Sequence, residues 1–121
     1  MVSTRDFSNF VLKIDFRCPG NANSGVFLRR SYEVQIWGAH ATGYNTGGIV
    51  NLAKAPPETA FVANQWNTYE ITADGDHLIV VLNGKTVLDI HDSKSSSGPF
   101  RLQYMKFPME FRNIKVRPIT P

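Results

Sequence analysis

The sequence predicts an all-β fold built from antiparallel strands. Three observations carry this expectation. Short runs rich in β-branched and aromatic residues alternate apolar with polar side chains at a period of two. Clusters of Gly, Pro, Asn, Asp and Ser separate those runs. No 11-residue window shows the 3.6-residue periodicity of an amphipathic helix. The expected arrangement is a jelly-roll-like β-sandwich, with an open barrel as the alternative.

The first strand is FVLKIDF (10–16), where Phe10, Leu12, Ile14 and Phe16 oppose Val11, Lys13 and Asp15. CPGNANSG (18–25) reads as a loop. Strands follow at 26–30 and 32–37. Residues 38–48, GAHATGYNTGG, form a long Gly-rich polar loop, and KAPPET (54–59) continues the irregular stretch, its two prolines forbidding central-strand pairing. A strand at 68–72 runs into the turn ADGD (73–76). The next strand, HLIVVL (77–82), is apolar on both faces after its first residue, as befits a strand in the middle of a sandwich. Asn83-Gly84 then signals a type I′ hairpin, in which both central residues need positive φ. A strand at 85–90, a polar loop at 91–99, and strands at 100–104 and 110–117 complete the chain.

The 121 residues suffice for one domain with one sizeable core, taken here to span 1–121. The composition, 42% hydrophobic and 19% charged, is that of a folded globular chain. No apolar run is long enough for a membrane-spanning helix, and MVSTRDFSNF lacks the apolar core of a signal peptide. The single cysteine, Cys18, forms no internal disulfide and has no ligand partner at metal-site spacing. The net charge of +3 is scattered, without a dense Lys/Arg run or interleaved aromatics, so nucleic acid is not an expected partner.

The candidate site emerges from parity. In 32–37, Tyr32, Val34 and Ile36 share one face, and Glu33, Gln35 and Trp37 the other. In the preceding strand Val26 and Leu28 oppose Phe27 and Arg29. In 100–104, Arg101 and Gln103 oppose Phe100, Leu102 and Tyr104. If these strands share a sheet, Arg29, Glu33, Gln35, Trp37, Arg101 and Gln103 line one face, able to hydrogen-bond hydroxyls and stack a sugar ring on Trp37. The same alternation also describes any solvent-facing sheet, and Arg29 and Glu33 could simply pair across strands. His40 lies in the long loop, within reach of a ligand. His77 and His91 read as exposed structural residues, and Asp89 and Asp92 as surface charges. The three histidines show no metal-binding spacing, no alternating acid pair suits a two-carboxylate glycosidase, and neither a nucleophile elbow nor a phosphate-cradling loop is present.

NSGVFLR (23–29), YEVQI (32–36), TGGI (46–49), QWNTYEI (65–71), VLNGKTV (81–87), LQ (102–103) and FRNIKV (111–116) occur in that order. Together they resemble the 3-keto-disaccharide hydrolase family, mainly bacterial and often secreted or periplasmic jelly-roll domains related to laminin-G and concanavalin-like sandwiches. The resemblance implies a carbohydrate ligand, and the residues themselves lead to no expected cofactor. It implies chemistry on glycosides oxidised to a ketone at C3, with Glu33 as base or ligand, Arg29 and Gln35 positioning substrate, and Gln103 in the same groove. The chain departs from the family pattern at three places. Trp37-Gly38 stands where members often carry Asp, Met105 where they carry His, and Val50 where they carry Tyr. Members also usually have further strands before the one matching FSNFVLKIDFR, whereas this chain begins almost at that strand. A strand missing there would leave an open edge and favour association between copies.

Overall fold

The computed structural model describes residues 8–18, 23–29, 32–37, 49, 64–93, 97–98, 101–103 and 110–119, with backbone alone at 23–24, 35, 37 and 101–103. Among the described residues there are eight strands and no helix: β1 (Phe10–Arg17), β2 (Asn23–Leu28), β3 (Tyr32–Trp37), β4 (Asn67–Asp74), β5 (His77–Leu82), β6 (Lys85–His91), β7 (Arg101–Gln103) and β8 (Glu110–Pro118). They form a five-stranded sheet, β6-β5-β4-β1-β8, and a three-stranded sheet, β3-β2-β7. Every strand pairing is antiparallel. The expected jelly-roll sandwich is the fold.

Period-two patterning places the core between the sheets. Phe10, Leu12, Ile14 and Phe16 of β1, Tyr69 and Ile71 of β4, and Leu78, Val80 and Leu82 of β5 are buried on one side. Val26, Leu28, Tyr32, Val34 and Ile36 are buried on the other, and all belong to one cluster. β5 lies between β4 and β6, with Ile79 and Val81 half-buried on its outer face.

The turns follow their chemistry. Asn83 and Gly84 both have positive φ, 51° and 82°, as the I′ hairpin between β5 and β6 requires. The Asn83 side chain also closes the end of β4: its Oδ1 accepts from Thr68 N at 2.8 Å, and its Nδ2 donates to Asn67 Oδ1 at 2.9 Å. Between β4 and β5, Gly75 takes a φ of 59°. In β8, Asn113 sits at φ 53° where the pairing with β1 slips between Lys13 and Asp15, the mark of a bulge.

Several boundaries differ from expectation. β4 runs on to Asp74, because Ala73 and Asp74 pair with Leu78 and His77, so the turn read at 73–76 is only Gly75 and Asp76. β2 begins at Asn23, inside the stretch read as a loop, because Asn23 to Gly25 pair with Trp37 to Gln35. β2 also stops at Leu28, because Arg29 turns into the left-handed region with φ 48°. There the Arg29 guanidinium is fully buried and ties the two sheets together. Its Nε donates to Ser8 O at 2.9 Å, its Nη1 to Gly75 O at 2.8 Å, and its Nη2 to Ser8 O and Asn9 Oδ1. Asn9 Oδ1 accepts from Gly75 N as well, and Asp92 N donates to Asp76 O. Tyr32, buried in the core, donates its hydroxyl to Asp92 Oδ2 at 2.6 Å.

Candidate functional site

The three-stranded sheet brings most of the expected face together by register. Phe27 on β2 lies opposite Glu33 on β3 and Arg101 on β7. Gly25 lies opposite Gln35 and Gln103. Asn23 lies opposite Trp37. Phe27 and Glu33 alternate with the buried Val26, Leu28, Tyr32 and Val34, so these two stand on the face turned away from the core, and Gln35, Trp37, Arg101 and Gln103 are placed by register alone. The condition set by the sequence, that these strands share one sheet, is met. Phe27 and Glu33 are half-buried on it. For Gln35, Trp37, Arg101 and Gln103 the description ends with the backbone, and His40 lies outside the described residues.

Gly25 occupies the middle of this face, and its missing side chain shapes it. A β-carbon built there would lie 2.8 Å from Glu33 Oε2, 2.9 Å from Glu33 Cγ and 3.2 Å from Val34 O. The Glu33 carboxylate therefore leans out of its own row, over the glycine, into the row that Gln35 and Gln103 flank. Reading 18–25 as a loop hid this residue. The available signal was a glycine in a run of strand formers, which marks close approach of another group.

Arg29 does not join this face. Parity placed it beside Glu33, but parity holds only while the backbone stays extended. At Arg29 it does not, and the side chain turns to the carbonyls of Ser8 and Gly75. A cross-strand Arg29–Glu33 pair is likewise not what the register shows, since Glu33 faces Phe27.

The outer face of the five-stranded sheet carries a second polar cluster that the sequence reading did not single out. Asp15 accepts from Thr68 Oγ1 at 2.7 Å, Asn113 Nδ2 at 2.9 Å and Arg112 Nε at 3.2 Å. Burial pushes its carboxyl upward in pKa, but these three donors outweigh that effect and hold it below its ordinary value. Arg17 and Glu110 form a two-pronged ion pair at 2.7 and 2.9 Å. The guanidiniums of Arg112 and Arg17 lie 3.8 and 4.7 Å from the centre of the Trp66 ring.

At the far end of the same sheet His77 and His91 stack, ring centres 4.4 Å apart. Asp89 Oδ1 is 2.5 Å from His77 Nε2, and Asp76 Oδ1 is 2.9 Å from His91 Nδ1. Parallel imidazoles do not aim their lone pairs at one point. No group of three or more His, Cys, Asp or Glu among the described residues is arranged to hold a metal ion.

A jelly-roll sandwich with an acid set into the exposed face of its smaller sheet falls in the laminin-G and concanavalin-like class. More particularly, the chain belongs to the 3-keto-disaccharide hydrolase family, whose sequence profile, described as the 3-keto-alpha-glucoside-1,2-lyase-like domain, matches residues 1–117. Solved structures agree on the fold. Two proteins of Parabacteroides distasonis described as glycosyl hydrolases superpose with a TM-score of 0.85 each, at 23% and 14% identity. Both comparisons cover 98% of this chain, and 82% and 76% of those chains. The carbohydrate-binding module CBM66 of Bacillus subtilis superposes with a TM-score of 0.69 at 19% identity, over 95% of this chain and 78% of that one. No protein with a curated description matches the chain.

Proposed function

We propose that this chain acts on glycosides bearing a ketone at C3, holding the sugar on the outer face of the β3-β2-β7 sheet. The observation that carries the reading is the Glu33 carboxylate set over Gly25, between the register positions of Gln35 and Gln103. The hollow left by the glycine gives a substrate carbon room to approach that carboxylate. The ketone acidifies the neighbouring C2–H. Glu33 takes that proton, the electron pair forms the enolate, and collapse of the enolate expels the glycosidic oxygen from C1, which leaves as the alcohol with the proton that Glu33 returns to it directly or through a water. Water then adds to the resulting enone. Gln35, Arg101 and Gln103 stand at adjoining register positions and carry the hydrogen-bond donors that an enolate oxygen requires. Trp37 supplies the ring for stacking a sugar.

A second reading, a module that binds sugar without transforming it, is favoured by two departures in the sequence. Met105 stands where family members carry His, and Trp37-Gly38 where they often carry Asp. One pair of variants separates the two. For the enzyme, Glu33→Gln abolishes consumption of a 3-keto-glycoside while calorimetric sugar binding persists. For the module, the parent consumes nothing, Glu33→Gln binds weakly and Trp37→Ala fails to bind. Turnover by Glu33→Gln equal to that of the parent would remove Glu33 from the mechanism.

A further inference from the structure

The pairing of β1 with β8 places charge on the outer face of the five-stranded sheet in four successive rungs. Two are matched: Arg17 faces Glu110, and Asp15 faces Arg112. The third sets Lys13 directly opposite Lys115, and the fourth sets Arg117 opposite Val11. Like charges facing each other across an antiparallel pair are destabilising. Lys13 has Glu70 at only 4.0 Å, with both side chains about half exposed, and neither Lys115 nor Arg117 forms an ion pair with a described residue. These residues line a cleft with Val11, Val116 and Glu70, and it continues past Lys13 and Lys115 toward Asp15 and Thr68. Three cations there face two carboxylates, Glu70 and Asp15, and Asp15 is already held by Arg112.

We propose that this cleft is a second binding site, separate from the face around Glu33, which takes the carboxylate or sulfate groups of a linear acidic glycan. Lys115 and Arg117 are two residues apart on an extended strand, so their charges repeat at about 7 Å. A chain carrying successive anionic groups meets both, and a single small anion meets only one rung. The choice of a glycan over a nucleic acid rests on the proposed sugar chemistry and on the walls of the cleft. Val11 and Val116 line it, no aromatic side chain among the described residues does, and Trp66 already stacks against Arg17 and Arg112. The bound anion removes the Lys13–Lys115 repulsion that the empty cleft retains.

The test is affinity electrophoresis of the full chain through gels containing polygalacturonate or, as the uncharged control, dextran. Polygalacturonate should retard the protein, less so as salt rises, and dextran should not. The double variant Lys13→Gln/Lys115→Gln should weaken retardation about tenfold, the loss of two exposed charge contacts. Glu70→Gln should strengthen it, and Glu33→Gln should leave it unchanged. The double variant should melt no lower than the parent, because it relieves a repulsion, and a lower melting temperature would overturn that reading. Absence of retardation, or undiminished retardation of the double variant, would overturn the site. Displacement by inorganic sulfate as effective as by the polymer at equal charge would overturn the chain ligand, and tighter binding of a single-stranded oligonucleotide would overturn the glycan. Turnover of a neutral 3-keto-glycoside by a protein that polygalacturonate does not retard would sink this site and leave the proposed function standing.

Discussion

Glu33 Oε2 lies 2.8 Å from the point where a β-carbon on Gly25 would stand. The two residues are diagonal neighbours on adjacent strands, since Glu33 is paired with Phe27 and Gly25 with Gln35. The carboxylate owes its position to the absence of a side chain. Gly25→Ala should therefore push the Glu33 side chain aside from Cγ outward and crowd Val34 O slightly, rather than break the sheet. We expect its melting temperature to stay within a few degrees of the parent and its turnover of a 3-keto-glycoside to fall about 100-fold, the scale on which an ångström of misplacement acts. Full turnover in a folded Gly25→Ala protein would show that the placement of Glu33 is immaterial.

Arg29 is a structural cation. Its fully buried guanidinium donates to Ser8 O, Gly75 O and Asn9 Oδ1, and removing it takes those donors away and leaves a void at the joint between the sheets. Arg29→Ala should cost about 3 kcal/mol in a urea titration. Arg29→Lys should recover only part of that loss, because one ammonium cannot reproduce the fork that reaches Ser8 and Gly75 together. A loss below about 0.5 kcal/mol, the range of ordinary surface substitutions, would contradict the role.

Acid should loosen the five-stranded sheet. Burial acts to raise the Asp15 pKa, yet the bonds from Asn113, Thr68 and Arg112 leave it below its ordinary value. Glu110 is lowered by its bond to Arg17, and Asp76 by its bond to His91. A carboxyl whose folded pKa is depressed adds stability above its unfolded pKa. That stability drains away as pH falls through the folded value. The melting temperature should drop between about pH 5 and pH 2, the window in which such carboxyls take up protons. Asp15→Asn should be less stable than the parent at neutral pH and should show a shallower acid limb. An acid limb of unchanged slope would remove Asp15 from the account.

Cys18 should be slow to react. It is buried, and burial pushes its thiol pKa up to about 11, so little thiolate exists at neutral pH. An aromatic disulfide reagent at pH 8 should label it slowly in the native protein and rapidly in denaturant. Equal rates in both conditions would contradict the burial.

What could be read from the residues followed their period. Tyr32, Val34 and Ile36 alternate with polar neighbours, and all three are in the core. Asn83-Gly84 announced its turn through the φ values it needs, and both are positive. Parity alone could not bring the register positions of Glu33, Gln35, Trp37, Arg101 and Gln103 side by side, because that depends on β3, β2 and β7 adjoining, which no local pattern supplies. Arg29 escaped the reading because a single left-handed residue ends the alternation, and nothing in its neighbours marks that turn. Gly25 escaped because glycine signals a loop and a close approach equally well. The Lys13–Lys115 rung was invisible for a different reason: the two residues lie on strands from opposite ends of the chain, and a bulge at Asn113 sets their register.

The joint around Arg29 also bears on the order of folding. It gathers Ser8 and Asn9, Arg29, Gly75 and Asp76, and Asp92, segments that lie far apart in the chain. The β5-β6 hairpin can close across two residues, whereas this joint must first close much longer loops, at an entropic cost that local contacts do not offset. It should therefore assemble after the hairpins and separate before them, which φ-value analysis at Arg29 and in the β5-β6 hairpin would check. Gly25 and Glu33 lie on the two arms of the β2–β3 hairpin, so their contact should close with local structure, and the Arg29 joint should then lock that hairpin against the larger sheet.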